Sequence, residues 1–299
     1  MDGILNIRKE KGFTSHDVVA IVRKTLQTKK VGHTGTLDPD AEGVLPICMG
    51  KATKLSDIIM QGKKQYRAVV RLGITTTTED ASGDVLEQKE VLFDEQNIQN
   101  AVKQFVGEIE QIPPMYSAIK VNGKKLYELA REGKEIARKA RTVTIYDIQI
   151  TKFLPPERFE IVVDCTKGTY IRTLCSDIGK VLGCGAHMES LLRTETSGFT
   201  LENAITLDTL KQMAENGQAE NALLSMTAAL GMYPKAIVSA KWEKMLYNGG
   251  KIYEHAYDCP QDLQVGDTVT VFDSRKNLIG LYEVQKEKEL LLKPLKMLI

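Results

Sequence analysis

The stretch Gly32-His33-Thr34-Gly35-Thr36-Leu37-Asp38-Pro39-Asp40-Ala41-Glu42-Gly43-Val44-Leu45-Pro46 decides how the rest of the chain is read. Three glycines and two prolines in fifteen residues exclude a regular element over this length. Glycine opens backbone conformations closed to other residues, and proline fixes its own φ and removes a donor. Pro39 pushes Asp38 out of the α region, so Asp38 is expected to project from a stiff, extended loop. Two readings of Asp38 stand side by side. It is a turn residue before proline, or a carboxylate held for chemistry by a loop that is costly to build otherwise.

Working outward, residues 14–26 predict a helix. Thr14 and Asp17 form a capping box with Asp in place of Glu, and Val18, Val22 and Leu26 recur every four residues. Tyr66–Leu72 alternates as a strand, with Tyr66, Ala68, Val70 and Leu72 on the core face. Phe159, Ile161, Val163 and Cys165 form a second strand. A Lys167-Gly168 turn follows, then a helix marked by Ile171, Leu174, Ile178 and Val181. Tyr170 and Arg172 stand at that strand-to-helix junction. Strands and helices mix without a strict βαβ rhythm, which predicts an α+β fold with a mixed sheet. Residues 200–232 carry little signal beyond a helix near Leu207–Met213. Gly231-Met232-Tyr233-Pro234 predicts a linker. Beyond it, Asp267–Phe272 and Ile279–Val284 predict a small β domain at 236–299, after a larger domain at 1–232.

Composition narrows the function classes. The chain has 299 residues, 42% hydrophobic and 26% charged, enough to bury a core without staples. No apolar run reaches the roughly 20 residues of a bilayer span. The start, Met1-Asp2-Gly3-Ile4-Leu5-Asn6, lacks the pattern of a secretory signal. Five scattered cysteines without a CxxC predict neither a zinc site nor a disulfide framework, and the cytoplasm is the default compartment. A net charge of +1 announces no polyanion partner, but charge is segregated. Residues 1–75 hold 13 Lys/Arg and 7 Asp/Glu, 79–112 hold 2 and 9, and 115–145 hold 8 and 3. The blocks are solvated faces, or two basic blocks share a phosphate-binding surface and the acidic one faces away.

The Gly32–Pro46 stretch, continued through Ile47-Cys48-Met49-Gly50-Lys51-Ala52-Thr53-Lys54, resembles the signature motif of TruB-type tRNA pseudouridine synthases. Four more matches fall in order. Lys9-Glu10-Lys11-Gly12-Phe13-Thr14-Ser15 is similar to the family's KPxGxTS motif. Lys64-Gln65-Tyr66-Arg67 with Leu72-Gly73 resembles its tyrosine-bearing strand. Gln111-Ile112-Pro113-Pro114-Met115-Tyr116-Ser117-Ala118 resembles the lead into its RNA-gripping insertion. Cys165-Thr166-Lys167-Gly168-Thr169-Tyr170-Ile171-Arg172, with Gly183-Cys184-Gly185-Ala186-His187, resembles its third active-site block. Together they cover roughly residues 3–200. One departure is Glu10, where the family usually has Pro, which is expected to loosen the N-terminal loop.

The resemblance implies isomerisation of the T-loop uridine of tRNA (position 55) to pseudouridine, by base flipping and without cofactor or metal. It places the essential aspartate on Asp38, acting as nucleophile or base through attack on the sugar, attack on the ring, or abstraction of a ribose proton. Arg172 then pairs with Asp38, and a nearby cation lowers a carboxyl pKa. Tyr66 stacks on the flipped base, Tyr170 is a second pocket tyrosine, and Leu191 packs under the base. Read without the motifs, these are a helix-surface arginine, core tyrosines and a core leucine. His33 fills the gap left in the T loop; with His16, His187 and His255 it shows no ligand spacing. Lys11 and Lys64 bind the substrate, and Lys51, Lys54, Lys63, Lys64 and the block Lys120–Arg141 contact phosphates. The insertion at about 120–145 closes over the T arm. The C-terminal segment resembles a PUA domain, a β pseudo-barrel that reaches the acceptor stem. The protein is then a monomer with no obligatory protein partner and no membrane contact. The competing expectations are a relative that works inside a guide-RNA particle, disfavoured by the length beyond the PUA-like segment, and a non-catalytic RNA-binding module, disfavoured by the retained Asp38.

Overall fold

The computed structural model describes residues 1–121 and 123–299. A mixed sheet of ten strands carries the larger part of the chain. Its path runs Leu223–Leu224, Gly3–Lys9, Glu42–Met49, Ala186–Thr196, Lys64–Leu72, Arg158–Cys165, Arg141–Leu154, Gly107–Gln111. Val31–His33 and Phe199–Thr200 pair off this path. The fold class is α+β, as the irregular alternation of elements predicts.

One joint in the path is parallel. Leu192 pairs with Glu42 and Arg193 with Gly43, while the other pairings in this sheet run antiparallel. Gly43 makes this joint possible. Its φ is +113°, and a Cβ there would stand 2.2 Å from the Arg193 carbonyl oxygen. The strand Glu42–Met49 thus begins inside the stretch that composition excluded from regular structure. Gly43 is needed for close approach, and Pro46 spends its carbonyl on the Thr34 N–H and hydroxyl. Neither residue breaks the strand.

The strand Lys64–Leu72 buries Lys64, Tyr66, Ala68, Val70 and Leu72, the predicted face extended by one residue. It lies between Arg158–Cys165 and Ala186–Thr196, with Tyr66 opposite Val163 and Arg193. The helix Ile171–Val181 packs Ile171, Leu174, Cys175 and Ile178 into the same apolar cluster, as a 3–4 spacing dictates. On a second cluster the helix Ser15–Thr25 buries Val18, Val19 and Val22. Its N-cap is Thr14, whose hydroxyl accepts from the Asp17 N–H while the Asp17 carboxylate accepts from the Thr14 N–H. Such a cap contributes about 1 kcal/mol. The helix at Leu207–Glu215 sits beside it.

After a turn at 230–234, the strands from Lys235 to Met297 form a six-stranded, barrel-like sheet around Val238, Leu246, Val269, Val271, Tyr282 and Leu292. Thr268–Phe272 and Leu278–Lys286 are its observed versions of the two predicted strands. Leu281 of this sheet and Leu298 just beyond it pack with Ile4 and Val44 of the larger sheet and with Leu55, which follows its strand Glu42–Met49. No described helix is long and apolar enough to cross a membrane.

Candidate active site

The loop before Glu42 is held from both ends. Ser15, at the start of its helix, clamps Leu37: its hydroxyl accepts from the Leu37 N–H at 2.9 Å and donates to the Leu37 carbonyl at 3.2 Å. The Ala41 N–H donates to the Asp38 carbonyl at 3.1 Å, closing a turn with Pro39 at its second position, where a fixed φ fits. The Gly12 N–H and the Lys9 ammonium both donate to the Pro39 carbonyl, at 2.9 and 3.0 Å. Lys9 and Gly12, on either side of Glu10, thus tie the N-terminal loop to the Asp38 turn. Arg193 holds the other flank, donating to the carbonyls of Val44 at 2.7 Å and Gly35 at 3.3 Å.

The backbone at Asp38 is a turn, and the Asp38 carboxylate faces Arg172, with Oδ2 3.1 Å from Nε. Arg172 is no helix-surface residue. Its side chain is 6% exposed and its guanidinium is shared among four groups. Besides Asp38, Nη1 donates to the Thr78 carbonyl at 3.2 Å and lies 3.6 Å from Asp80 Oδ2, and Nη2 donates to the Tyr116 carbonyl at 2.8 Å. A planar fork reaches several acceptors in fixed directions, which an ammonium does not.

Arg172 favours the ionised form of Asp38, as expected, but the net displacement is upward. The Asp38 side chain is 40% exposed, and its partial burial is the larger influence; Arg172 and Lys9 oppose it, and Asp80 and Asp40 add to it. Lys9 is itself fully buried, and burial brings its ammonium down to about 8 against the attraction of Asp38, Asp40 and Glu42.

Tyr66 is 7% exposed and shares a cluster with Leu37, the neighbour of Asp38. Burial raises its phenol above the ordinary tyrosine value, and Arg193 works against that. Tyr170 is half-buried at the N-cap of the Ile171–Val181 helix, its phenol raised by burial and opposed by the Ser117 hydroxyl, Arg141 and Arg172. Leu191 is half-buried against the same cluster, opposite Ala68. Asp38 thus meets Arg172 directly, Tyr66 and Leu191 share the apolar cluster that holds Leu37, and Tyr170 precedes Arg172 by two residues.

His33 lies at the rim. Its ring meets that of His16 edge-on at 5.3 Å, a proximity the sequence spacing did not suggest. The Gly35 N–H donates to its Nδ1 at 3.3 Å, and burial, His16 and Arg193 lower its pKa. His33 therefore stays neutral at neutral pH, with the proton on Nε2.

The lysines divide. Lys11, Lys51 and Lys63 are exposed. Lys64 is not free for a phosphate, contrary to expectation. It is 6% exposed and its ammonium donates to the carbonyls of Met60 and Gly62 at 2.8 and 2.9 Å. Strand alternation puts residue 64 on the buried face with Tyr66. Lys54 donates to the carbonyls of Met297 and Ile299, joining the two sheets. In the insertion, the helix Leu126–Arg131 follows the two-residue strands Lys120–Val121 and Lys124–Lys125, and residue 122 lies outside the described residues. Lys124 and Lys134 both pair with Glu132.

The acidic block does not face away as a whole. Asp80 sits at Arg172, its Oδ1 accepting from the hydroxyls of Thr78 and Ser82, both at 2.6 Å. Glu79, at φ +62°, accepts from the Thr173 hydroxyl at 2.6 Å. Sequence reading missed Asp80, Lys9 and Arg193 as parts of the site. The Thr-Thr-Thr-Thr-Glu-Asp run at 75–80 carried a signal, since clustered short polar side chains bond their own backbone and build turns.

Residues 23–171 match the family described as TruB family pseudouridylate synthase (N terminal domain). Residues 172–230 match the tRNA pseudouridylate synthase B C-terminal domain. The chain is 53% identical over 287 residues to a tRNA pseudouridine synthase B of Alkaliphilus oremlandii, covering 96% of this chain and 94% of that one. It is 44% identical over 307 residues to the protein of that name from Bacillus pumilus, covering 100% and 98%. Among solved structures, a Cbf5-Nop10-Gar1 complex superposes with TM-score 0.77 at 29% identity, over 99% of this chain and 85% of that one. An H/ACA RNP bound to a substrate RNA containing 2'-deoxyuridine gives 0.76 at 26%, over 99% and 85%.

Proposed function

This chain belongs to the TruB family of pseudouridylate synthases, and from that membership we propose that it converts the T-loop uridine of tRNA, at position 55, to pseudouridine. The relatives' names supply the tRNA substrate. The observation that supports the rest is the Asp38–Arg172 pair, with Tyr66 in the apolar cluster that holds Leu37 and Tyr170 two residues before Arg172.

The reaction breaks the bond from ribose C1′ to uracil N1 and makes one from C1′ to C5. A proton leaves C5 and one arrives at N1, so the change is redox-neutral and balances without cofactor. Asp38 acts on the target nucleotide as nucleophile or base, and Arg172 keeps it ionised against the pull of burial. The uridine has to leave its stack, at a cost of a few kcal/mol. Stacking on the Tyr66 ring, about 1–3 kcal/mol, offsets much of that, with Tyr170 and Leu191 lining the pocket. Neutral His33 fills the vacated place in the T loop. Lys11, Lys51, Lys63 and the insertion at 120–145 bind phosphates, and the domain at 236–299, PUA-like, reaches the acceptor stem. The protein acts as a monomer in the cytoplasm, without a guide RNA or protein partner.

The test is position-resolved pseudouridine mapping of unmodified tRNA incubated with the pure protein alone. Modification confined to position 55 is the expected result. No modification until a guide RNA is added would replace this reading with that of the guide-dependent relatives.

A further inference from the structure

Gln111 ends the strand Gly107–Gln111, and it is 2% exposed. Its side chain makes two hydrogen bonds to a single residue. Nε2 donates to the Tyr170 carbonyl at 3.0 Å, and Oε1 accepts from the Tyr170 N–H at 2.8 Å. The backbone pairing between Gly107–Gln111 and its neighbour stops at Gln111 itself, opposite Arg141. Past Cys165 the chain leaves the sheet and reaches the helix N-cap at Tyr170. At that junction the Gln111 amide stands in for a missing strand partner. A buried amide with both ends satisfied against one backbone unit fixes that unit's orientation.

What it fixes is the N-cap from which the site's helix starts. Tyr170 adopts extended backbone dihedrals, φ −97° and ψ 109°, and its carbonyl also accepts from the Leu174 N–H at 3.0 Å. Arg172 follows in the first turn. A rotation of the Tyr170 peptide swings the Arg172 guanidinium relative to Asp38. The chain just after Gln111 meets Arg172. The Tyr116 carbonyl accepts from Arg172 Nη2 at 2.8 Å, and Gln111 holds the Tyr170 backbone two residues away.

We propose that Gln111 is a positioning residue for the isomerisation: its paired bonds to the Tyr170 backbone set the Tyr170 ring and hold Arg172 in line with Asp38. Gln111 touches no reacting atom. The inference rests on the reading above that this cleft isomerises a tRNA uridine, so wild-type activity on unmodified tRNA is established first; a failure there is a failure of that reading and not of this one.

The experiment compares wild type with Gln111→Leu, which removes both bonds at similar size, and Gln111→Glu, which keeps the acceptor for the Tyr170 N–H and loses the donor. Single-turnover pseudouridine formation, tRNA Kd, melting temperature and the pH profile of the rate are measured. The expected loss of rate is about 100-fold for Gln111→Leu and about tenfold for Gln111→Glu, with Kd within about threefold, since an ångström of misplacement costs that much. The acidic limb of the rate profile moves upward in both variants, because a displaced Arg172 no longer favours the Asp38 carboxylate. Wild-type rates in both variants overturn the proposal. So does a loss of rate that only parallels losses of Kd and melting temperature, or one that leaves the acidic limb in place. If Gln111→Leu does not fold, Gln111→Glu decides.

Discussion

Arg172 Nε stands 3.1 Å from Asp38 Oδ2, and the same guanidinium is also bonded to the carbonyls of Thr78 and Tyr116. Arg172 thus fixes Asp38 in place as well as in charge. Arg172→Lys keeps the charge and loses the fork, so turnover should fall by about 100-fold while tRNA binding holds. Asp38→Asn should lower turnover by about a thousandfold or more. Binding should stay within about tenfold, or about 1.4 kcal/mol. Rapid-quench assays and filter binding on the same preparations separate the two quantities.

The pH profile carries a sign. Burial raises the Asp38 carboxyl above the ordinary aspartate value even with Arg172 beside it. A raised carboxyl holds its proton to higher pH, so the activity that needs the carboxylate is lost as pH falls through that raised value. The acidic limb of kcat/KM should therefore lie above the range of a free aspartate, and Arg172→Lys should move it higher still. A limb at the ordinary aspartate position would separate Asp38 from the rate.

Tyr66 lies buried in the apolar cluster that also holds Leu37 and Ala41, the residues on either side of the Asp38 turn. If the ring receives the uracil, Tyr66→Phe keeps most of the stacking surface. Tyr66→Leu removes it, about 1–3 kcal/mol. Turnover of the leucine variant should fall well below that of the phenylalanine variant, while equal losses in both would make Tyr66 a packing residue only.

Salt distinguishes the exposed lysines from the buried one. Binding should weaken steeply with salt, and Lys51→Gln or Lys63→Gln should each reduce the log–log slope by about 0.7–0.9. Lys64→Gln should leave the slope alone, because that ammonium is held by the Met60 and Gly62 carbonyls. Fluorescence anisotropy titrations at four salt concentrations suffice.

Stability rises with pH as activity does, but in a higher window and through groups shifted the other way. Burial depresses Lys9 and Lys64 to about 8, below their unfolded value of 10.5. Between these values the unfolded chain binds more protons than the folded one, so folding stability contributed by each group rises with pH across that window. Lys64→Met should flatten the rise seen by denaturant unfolding between pH 8 and 10.

Much of this architecture was legible in the sequence because it rests on local periodicity. The alternation through Tyr66–Leu72, the capping box of Thr14 and Asp17 and the apolar stripe from Ile171 all read correctly from neighbours a few residues apart. What escaped depends on distant register. Lys64 counts as a surface charge until its strand is seen to begin two residues before Tyr66, on the same buried face. Asp80 lies in a run of acids that looks solvated, and only the fold brings Arg172 to it. Gly43 looks like loop punctuation, and its need for an absent Cβ shows only once Arg193 lies across it.

The guanidinium of Arg172 gathers chain from positions 38, 78, 80 and 116, and the sheet beneath it closes only when Ala186–Thr196 slots between two earlier strands. A growing polypeptide therefore has no cleft during the first half of its synthesis, however well its N-terminal strands have formed. The site is thus completed late, and a chain terminated before Ala186–Thr196 is made lacks the strand on which it closes.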